Sequence, residues 1–199
     1  MKKSAKWIVG LVILVGFAFI YAHIDKLHAI YNENVDNSTY LNTGILNDVA
    51  AEQEFTVTEE KLDGIQIKCA TFGERNEVNL EYILTDKDSG DVIRNGNIAG
   101  KDVKNNKFLK IMFDPVTGTK GKTYAVSITE TGAKENDGVV FYLENSQKGT
   151  SYTINGEQRD GNLIIRTVHH RFDLETFIMV LFFEVYLLIF MKVMYKLFK

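Results

Sequence analysis

The sequence predicts a mainly β ectodomain, an antiparallel β-sandwich, held between two transmembrane α-helices. Three observations predict it. Apolar residues gather at the two ends of the 199-residue chain, nearly all acidic residues lie between them, and that middle is a run of short period-two strands separated by turn residues. With 45% hydrophobic and 25% charged residues, one Pro and one Cys, the composition excludes collagen-like, disulfide-scaffold and wholly disordered chains.

The first element is an apolar helix. Trp7 to Ala22 (WIVGLVILVGFAFIYA) carries no charge, and at about 1.5 Å per residue it makes roughly 24 Å of helix against a hydrocarbon core of about 30 Å. Extension to Ile24 closes most of the gap, which sets a span over 7–24 behind a cytoplasmic 1–6. A cleaved signal peptide has the same basic start, but Ile20-Tyr21-Ala22 is a poor cleavage site and the segment reads as an uncleaved anchor. Ile20, Ile24, Leu27 and Ile30 fall at helical spacing, which carries the helix into a juxtamembrane helix and linker over 25–52. Within that linker Ile45 to Ala51 reads as one helical turn or two.

The last element is a second apolar run, Phe177 to Met191 (FIMVLFFEVYLLIFM), which sets a span over 174–195 ahead of a cytoplasmic 196–199. Three lysines flank each outer end (Lys2, Lys3, Lys6; Lys192, Lys196, Lys199). The positive-inside bias then puts both termini in the cytoplasm of a plasma-membrane protein, with residues 25–173 extracellular, Trp7 and Tyr195 at the inner interface and Tyr21 at the outer one.

Between the spans the chain is acidic. Removing the six terminal lysines from 23 basic residues leaves 17, removing Glu184 from 26 acidic residues leaves 25, and the net charge is −8. Such a field makes nucleic acid a poor partner. The lone Cys69 lies in a strand pattern (IQIKCAT), where it acts as a small core hydrophobe, with a reactive thiol as the alternative.

The sandwich is expected over 53–170. Its strand candidates are Glu54 to Thr58, Gly64 to Thr71, Glu77 to Thr85, Val92 to Ile98, Phe108 to Phe113, Thr123 to Thr129, Val139 to Leu143, Ser151 to Ile154 and Asn162 to His169. In Val78-Leu80-Tyr82-Leu84, Leu109-Ile111-Phe113, Tyr124-Val126-Ile128 and Val139-Phe141-Leu143 one face is continuously apolar, so each strand buries one face. Asp-Lys-Asp-Ser-Gly (86 to 90), Asp-Pro (114, 115), Thr-Lys-Gly (119 to 121), Asn-Asp-Gly (136 to 138) and Asn-Gly (155, 156) separate them with residues suited to turns. Short alternating strands without intervening helical periodicity argue for a sandwich and against an α/β domain.

The stretch from Gln53-Glu-Phe55 through Leu62-Asp-Gly-Ile65, Leu84-Thr-Asp-Lys-Asp-Ser-Gly-Asp91, Phe108 to Pro115 and Gly121-Lys-Thr-Tyr124 resembles the jelly-roll, galactose-binding-like modules in the extracytoplasmic parts of Gram-positive membrane proteins. Polytopic glycosyltransferases and other cell-surface polysaccharide proteins are among those. The resemblance implies a jelly-roll-like sandwich in the cell envelope and leaves ligand binding open. The chain departs from that pattern in having two spans and no catalytic loop.

Glu184 is the most informative single residue. An ionisable side chain near the middle of a spanning helix costs at least about 2.5 kcal/mol, and such residues usually face protein or water. Ile8 to Ile20 contains only aliphatic residues, Phe, Gly and Ala, so its partner is expected on another chain: a polytopic membrane protein, or a second copy. A lone protonated Glu facing lipid is the plainer alternative. Gly10, Gly16 and Ala18 are small enough for close helix approach.

The four histidines, His23, His28, His169 and His170, suit zinc or pH sensing by residue type. Adjacent strand residues point to opposite faces, however, and a five-residue step turns a helix by about 140°, so neither pair forms a local site. Asp86, Asp88 and Asp91 lack the spacing of a calcium loop and read as a hairpin turn. Phe72, Phe108, Tyr142 and Tyr152 are the candidate platforms for stacking on sugar. Asn37-Ser-Thr39 matches a glycosylation acceptor only in a eukaryotic secretory context. No catalytic motif and no cofactor site is legible. The expected role is a non-catalytic accessory or scaffold subunit docking on a membrane glycosyltransferase or polysaccharide-assembly partner; the alternative is a free-standing cell-surface carbohydrate-binding or envelope-sensing module.

Overall fold

The computed structural model describes residues 2–34, 36–145 and 151–198, with side chains at all of these except 2–7 and 37. The expected interface position of Trp7 and the side chains of Lys2, Lys3, Lys6 and Lys199 lie outside that description. The chain divides into two compact units, one of Met1–Lys26 with His170–Lys199, the other Leu27–His169.

In the first unit the apolar runs at the two ends form helices α1 (Lys2–Tyr21) and α2 (Leu174–Leu197), which pack on each other. Asp173 caps α2: its carboxylate accepts the Thr176 N–H at 2.8 Å, satisfying one of the free donors of the first turn. That carboxyl is held below its ordinary range, chiefly by the same backbone N–H. Among the described residues α2 is the one helix long and apolar enough to cross a membrane, and the apolar part of α1, Ile8–Tyr21, is shorter. At about 1.5 Å per residue that part reaches roughly 21 Å, below the hydrocarbon thickness of about 30 Å.

The expected helical continuation of α1 does not occur. After Tyr21 the chain turns and forms strand β1 (His23–Ala29), which pairs with β13 (Ile165–Phe172). The spacing of Ile24, Leu27 and Ile30 fits a helix, but strand pairing overrides it, and Ile30 packs on the sandwich core with its N–H on the Ile165 carbonyl at 3.0 Å. The helical turn expected over Ile45 to Ala51 is also absent. Asn47 and Asp48 take left-handed φ of 41° and 65°, which an α-helix does not accommodate, and β3 has begun by Ala50.

The second unit is an antiparallel β-sandwich built largely from the strands that alternation predicts. They are β3 (Ala50–Thr56), β4 (Lys61–Phe72), β5 (Asn79–Asp86), β6 (Val92–Ala99), β7 (Lys107–Thr117), β8 (Thr123–Thr131), β9 (Gly138–Glu144) and β10 (Tyr152–Ile154). The stretch expected as one strand from Asn162 is broken after two residues, giving β12 (Asn162–Leu163) before β13. Two short strands carry no legible alternation, β2 (Leu41–Asn42) and β11 (Glu157–Gln158). One sheet runs β1-β13-β4-β9-β12, with β7 on β4 and β2 on β9; the other runs β11-β10-β3-β8-β5-β6.

The core lies between the sheets. Ile65, Ile67, Phe141 and Ile165 of the first sheet meet Phe55, Tyr124, Val126 and Leu84 of the second in one buried cluster. Sequence neighbours are repeatedly in opposite sheets, as β3 and β4, or β7, β8 and β9 are, so the chain crosses the core between them. Asp114-Pro115, expected as a turn, lies inside β7. Proline is tolerated there because β7 pairs only with β4, and Pro115 falls in the register shift where residues 113–115 of β7 oppose Asp63 alone. Asn155 and Gly156, with φ of 52° and 77°, make the expected tight turn between β10 and β11.

Candidate functional site

The four proposed sugar platforms meet different fates. Tyr152 is 1% exposed within the core, and burial pushes its phenol up to about 12; it is a core residue and no platform. The odd-even pattern of so short a strand does not say which face is inside. Tyr142 is part-buried on the outer face of the first sheet, its ring 6.2 Å from that of Tyr40. Phe108 is part-buried on that same face and already stacked upon: the Arg166 guanidinium lies 3.4 Å from its centroid. Phe72, at the end of β4, is 49% exposed.

The Phe108 neighbourhood is built by strand register. Arg166 of β13 and Lys110 of β7 both pair with Gln66 of β4, and Phe108 pairs with Lys68. Directly paired residues share a face, and because Ile65 and Ile67 point into the core, Gln66, Lys68, Phe108, Lys110 and Arg166 share the outer face. Lys68 Nζ lies 5.4 Å from the Phe108 centroid and Tyr31 approaches the same ring at 6.3 Å. Burial raises the Tyr31 phenol, opposed by the nearby Arg166 charge. Arg166 Nε is buried without a hydrogen-bond partner among the described residues. None of these basic residues was singled out from sequence. The available signal was parity, since Gln66 and Lys68, and likewise Phe108 and Lys110, occupy the polar positions of their strands.

Other buried polar groups serve the fold. Gln53 Oε1 accepts the Leu163 N–H at 3.0 Å, linking the second sheet to the first. Glu130 is 0% exposed, and its carboxylate accepts the N–H groups of Val139 at 2.6 Å and Leu46 at 3.1 Å. Burial raises its pKa against those hydrogen bonds. Cys69 is a buried core residue whose thiol burial pushes up to about 11, so it is largely protonated at neutral pH and a poor nucleophile.

His169 and His170 do point to opposite faces, the first buried and the second exposed. His169 hydrogen-bonds Thr167 Oγ1 at 2.6 Å and the Lys61 carbonyl, His170 contacts Asp25 at 3.0 Å, and His23 contacts the Phe19 carbonyl at 2.8 Å. Asp86 accepts the N–H groups of Asp88 and Ser89, forming the hairpin turn. Among the described residues no group of three His, Cys, Asp or Glu side chains is placed to hold a metal ion.

In the helical unit Glu184 sits part-buried on the face of α2 that also holds Phe177, Val180 and Leu181. Among the described residues its buried Oε2 has no hydrogen-bond partner. Ala18 is wholly buried. Among the described residues a Cβ at Gly10 or Gly16 would meet nothing within 4 Å, so both glycines stand on an open surface of α1.

The chain matches no protein-family model and no curated protein. Among solved structures it is similar to a clostridial cysteine protease, Cwp84, after propeptide cleavage, with 12% identity over 72% of this chain and 39% of that one and a TM-score of 0.45. It is similar at 12% identity, over 72% and 35% and with a TM-score of 0.45, to the cysteine protease and lectin-like domains of Cwp84, a surface-layer-associated protein of Clostridium difficile. It is also similar to Xylanase10C from Cellvibrio japonicus in complex with xylopentaose, at 15% identity over 67% and 27% with a TM-score of 0.34. The matched region spans less than half of each of those chains.

Proposed function

We propose that the protein is a non-catalytic, membrane-anchored accessory subunit. It has two spans, α1 and α2, both termini in the cytoplasm and the β-sandwich outside the plasma membrane, and it docks through its helices on a polytopic membrane partner. The jelly-roll resemblance supports a partner of the glycosyltransferase or polysaccharide-assembly class.

The observation that carries this reading is Glu184. A carboxyl oxygen is buried on an apolar helix with no hydrogen bond among the described residues, and the packed neighbour α1 brings no hydrogen-bonding side chain between Ile8 and Ile20. Such a group is costly in hydrocarbon, and a polar residue on an adjoining helix relieves the cost. The flanking lysines support the orientation, since basic residues accumulate on the cytoplasmic side.

The test is native mass spectrometry of the full-length protein extracted in mild detergent, as wild type and as Glu184→Leu. The expected result is a complex with a second polypeptide whose recovery falls at least tenfold in the variant, while the sandwich keeps its near-ultraviolet circular dichroism. A monomeric wild type, or unchanged recovery of the complex, overturns the docking role. A homo-oligomer dispersed by the substitution replaces the accessory subunit with self-association.

A further inference from the structure

We infer that the outer face of the first sheet binds an acidic saccharide, a sugar unit bearing a carboxylate or a phosphate, between Arg166, Gln66, Lys68 and Lys110. This is separate from docking through the helices and stands or falls without it. Two features set the face apart from an ordinary charged surface. The Arg166 guanidinium carbon lies 3.4 Å from the Phe108 ring centroid, and among the described residues its buried Nε has no hydrogen-bond partner. Gln66, the register partner of both Arg166 and Lys110, is only 5% exposed between them.

Each group selects part of the ligand. A guanidinium offers paired N–H donors that match the two oxygens of a carboxylate or phosphate, and stacking on Phe108 limits the rotamer freedom lost on binding. The Gln66 amide both donates and accepts, which is what a sugar hydroxyl needs and a bare anion does not. Arg166 and Lys110 flank Gln66 on either side, so their Cα atoms are about 10 Å apart across two strand spacings. Charges recurring along an extended acidic polysaccharide suit such a row. The patch is basic on a sandwich whose segment is acidic overall, with Glu33 and Glu144 near Tyr31 at its edge, so its attraction for an anion falls with salt. The Tyr31 ring beside Phe108 closes one side of the site with an apolar wall.

The experiment uses full-length protein in phosphatidylcholine nanodiscs, titrated with polygalacturonate, with poly(glycerol phosphate) and with neutral dextran, and read by microscale thermophoresis. At least one acidic polymer binds, dextran does not, and affinity falls as salt rises. The tighter of the two acidic polymers identifies carboxylate or phosphodiester as the source of the charge. Arg166→Gln weakens binding by roughly tenfold to a hundredfold, the range of one charge-assisted hydrogen-bonding group, whereas Lys87→Gln leaves it unchanged. Arg166→Lys keeps the charge without the planar fork and falls between wild type and Arg166→Gln, which preserves the test if the glutamine variant folds poorly. Binding of dextran as strong as that of the acidic polymers, no binding to either acidic polymer, or equal losses in Arg166→Gln and Lys87→Gln each overturn the inference.

Discussion

Glu130 shows how one residue ties three segments together. It sits on β8, its carboxylate holds the start of β9 through Val139 and the 45–48 turn through Leu46, and its backbone carbonyl accepts the Asp48 N–H at 2.7 Å. No cation is among these contacts, so burial dominates and the native pKa is raised above 4.5. The native state therefore holds a proton more tightly than the unfolded chain, and stability from this group is fullest below the unfolded value and declines as pH rises through the native one. Urea unfolding at a series of pH values is expected to show wild type losing stability relative to Glu130→Gln over that window; a constant or widening advantage for wild type would contradict the raised pKa. Glu130→Ala leaves at least two buried N–H groups without an acceptor and is expected to cost on the order of 2–4 kcal/mol.

At the scale of elements the β4–β7 pairing depends on a glycine. The register shifts between Leu62 and Gly64, and a Cβ on Gly64 would lie 2.6 Å from the Ile111 carbonyl oxygen and 2.8 Å from Met112 Sδ. Gly64→Ala is expected to destabilise the protein by about 1–3 kcal/mol in denaturant unfolding, as overpacking does. Adding Met112→Ala relieves the side-chain clash but leaves the backbone one, so the double variant recovers only part of the loss; full recovery would show that the carbonyl contact is soft. The sequence makes β4 itself easy to find, because Ile65, Ile67 and Cys69 alternate with Gln66, Lys68 and Ala70. It hides β1, because Ile24, Leu27 and Ile30 satisfy a helical period and only pairing with β13 decides otherwise. The Arg166–Phe108 stack was hidden for the same reason: the two residues sit on strands flanking β4, and register between distant strands is a tertiary property. Tyr152 misled because an aromatic suits either a sugar face or a core equally well by composition.

For the whole molecule the division into two units has a thermodynamic consequence. Every member of the buried core cluster lies between Leu46 and Ile165, inside the unit Leu27–His169, and the single cysteine is free. Among the described residues the sandwich is held by apolar packing and strand hydrogen bonds, with its one cysteine free. A fragment of residues 27–169 is therefore expected to fold alone and unfold in urea as one cooperative transition, because the two sheets share that core and neither can shed its partner without exposing it. Reductant is expected to leave the midpoint unchanged. Most strand pairs join residues far apart in sequence, so refolding falls in the millisecond-to-second range of non-local β topologies and not the microseconds of helical bundles. Coincident near- and far-ultraviolet circular dichroism transitions, with stopped-flow refolding, check both points. A fragment that binds hydrophobic dye and lacks near-ultraviolet signal would mean that the helical unit contributes to holding the sheets together, and the two units would then have to be treated as one cooperative body.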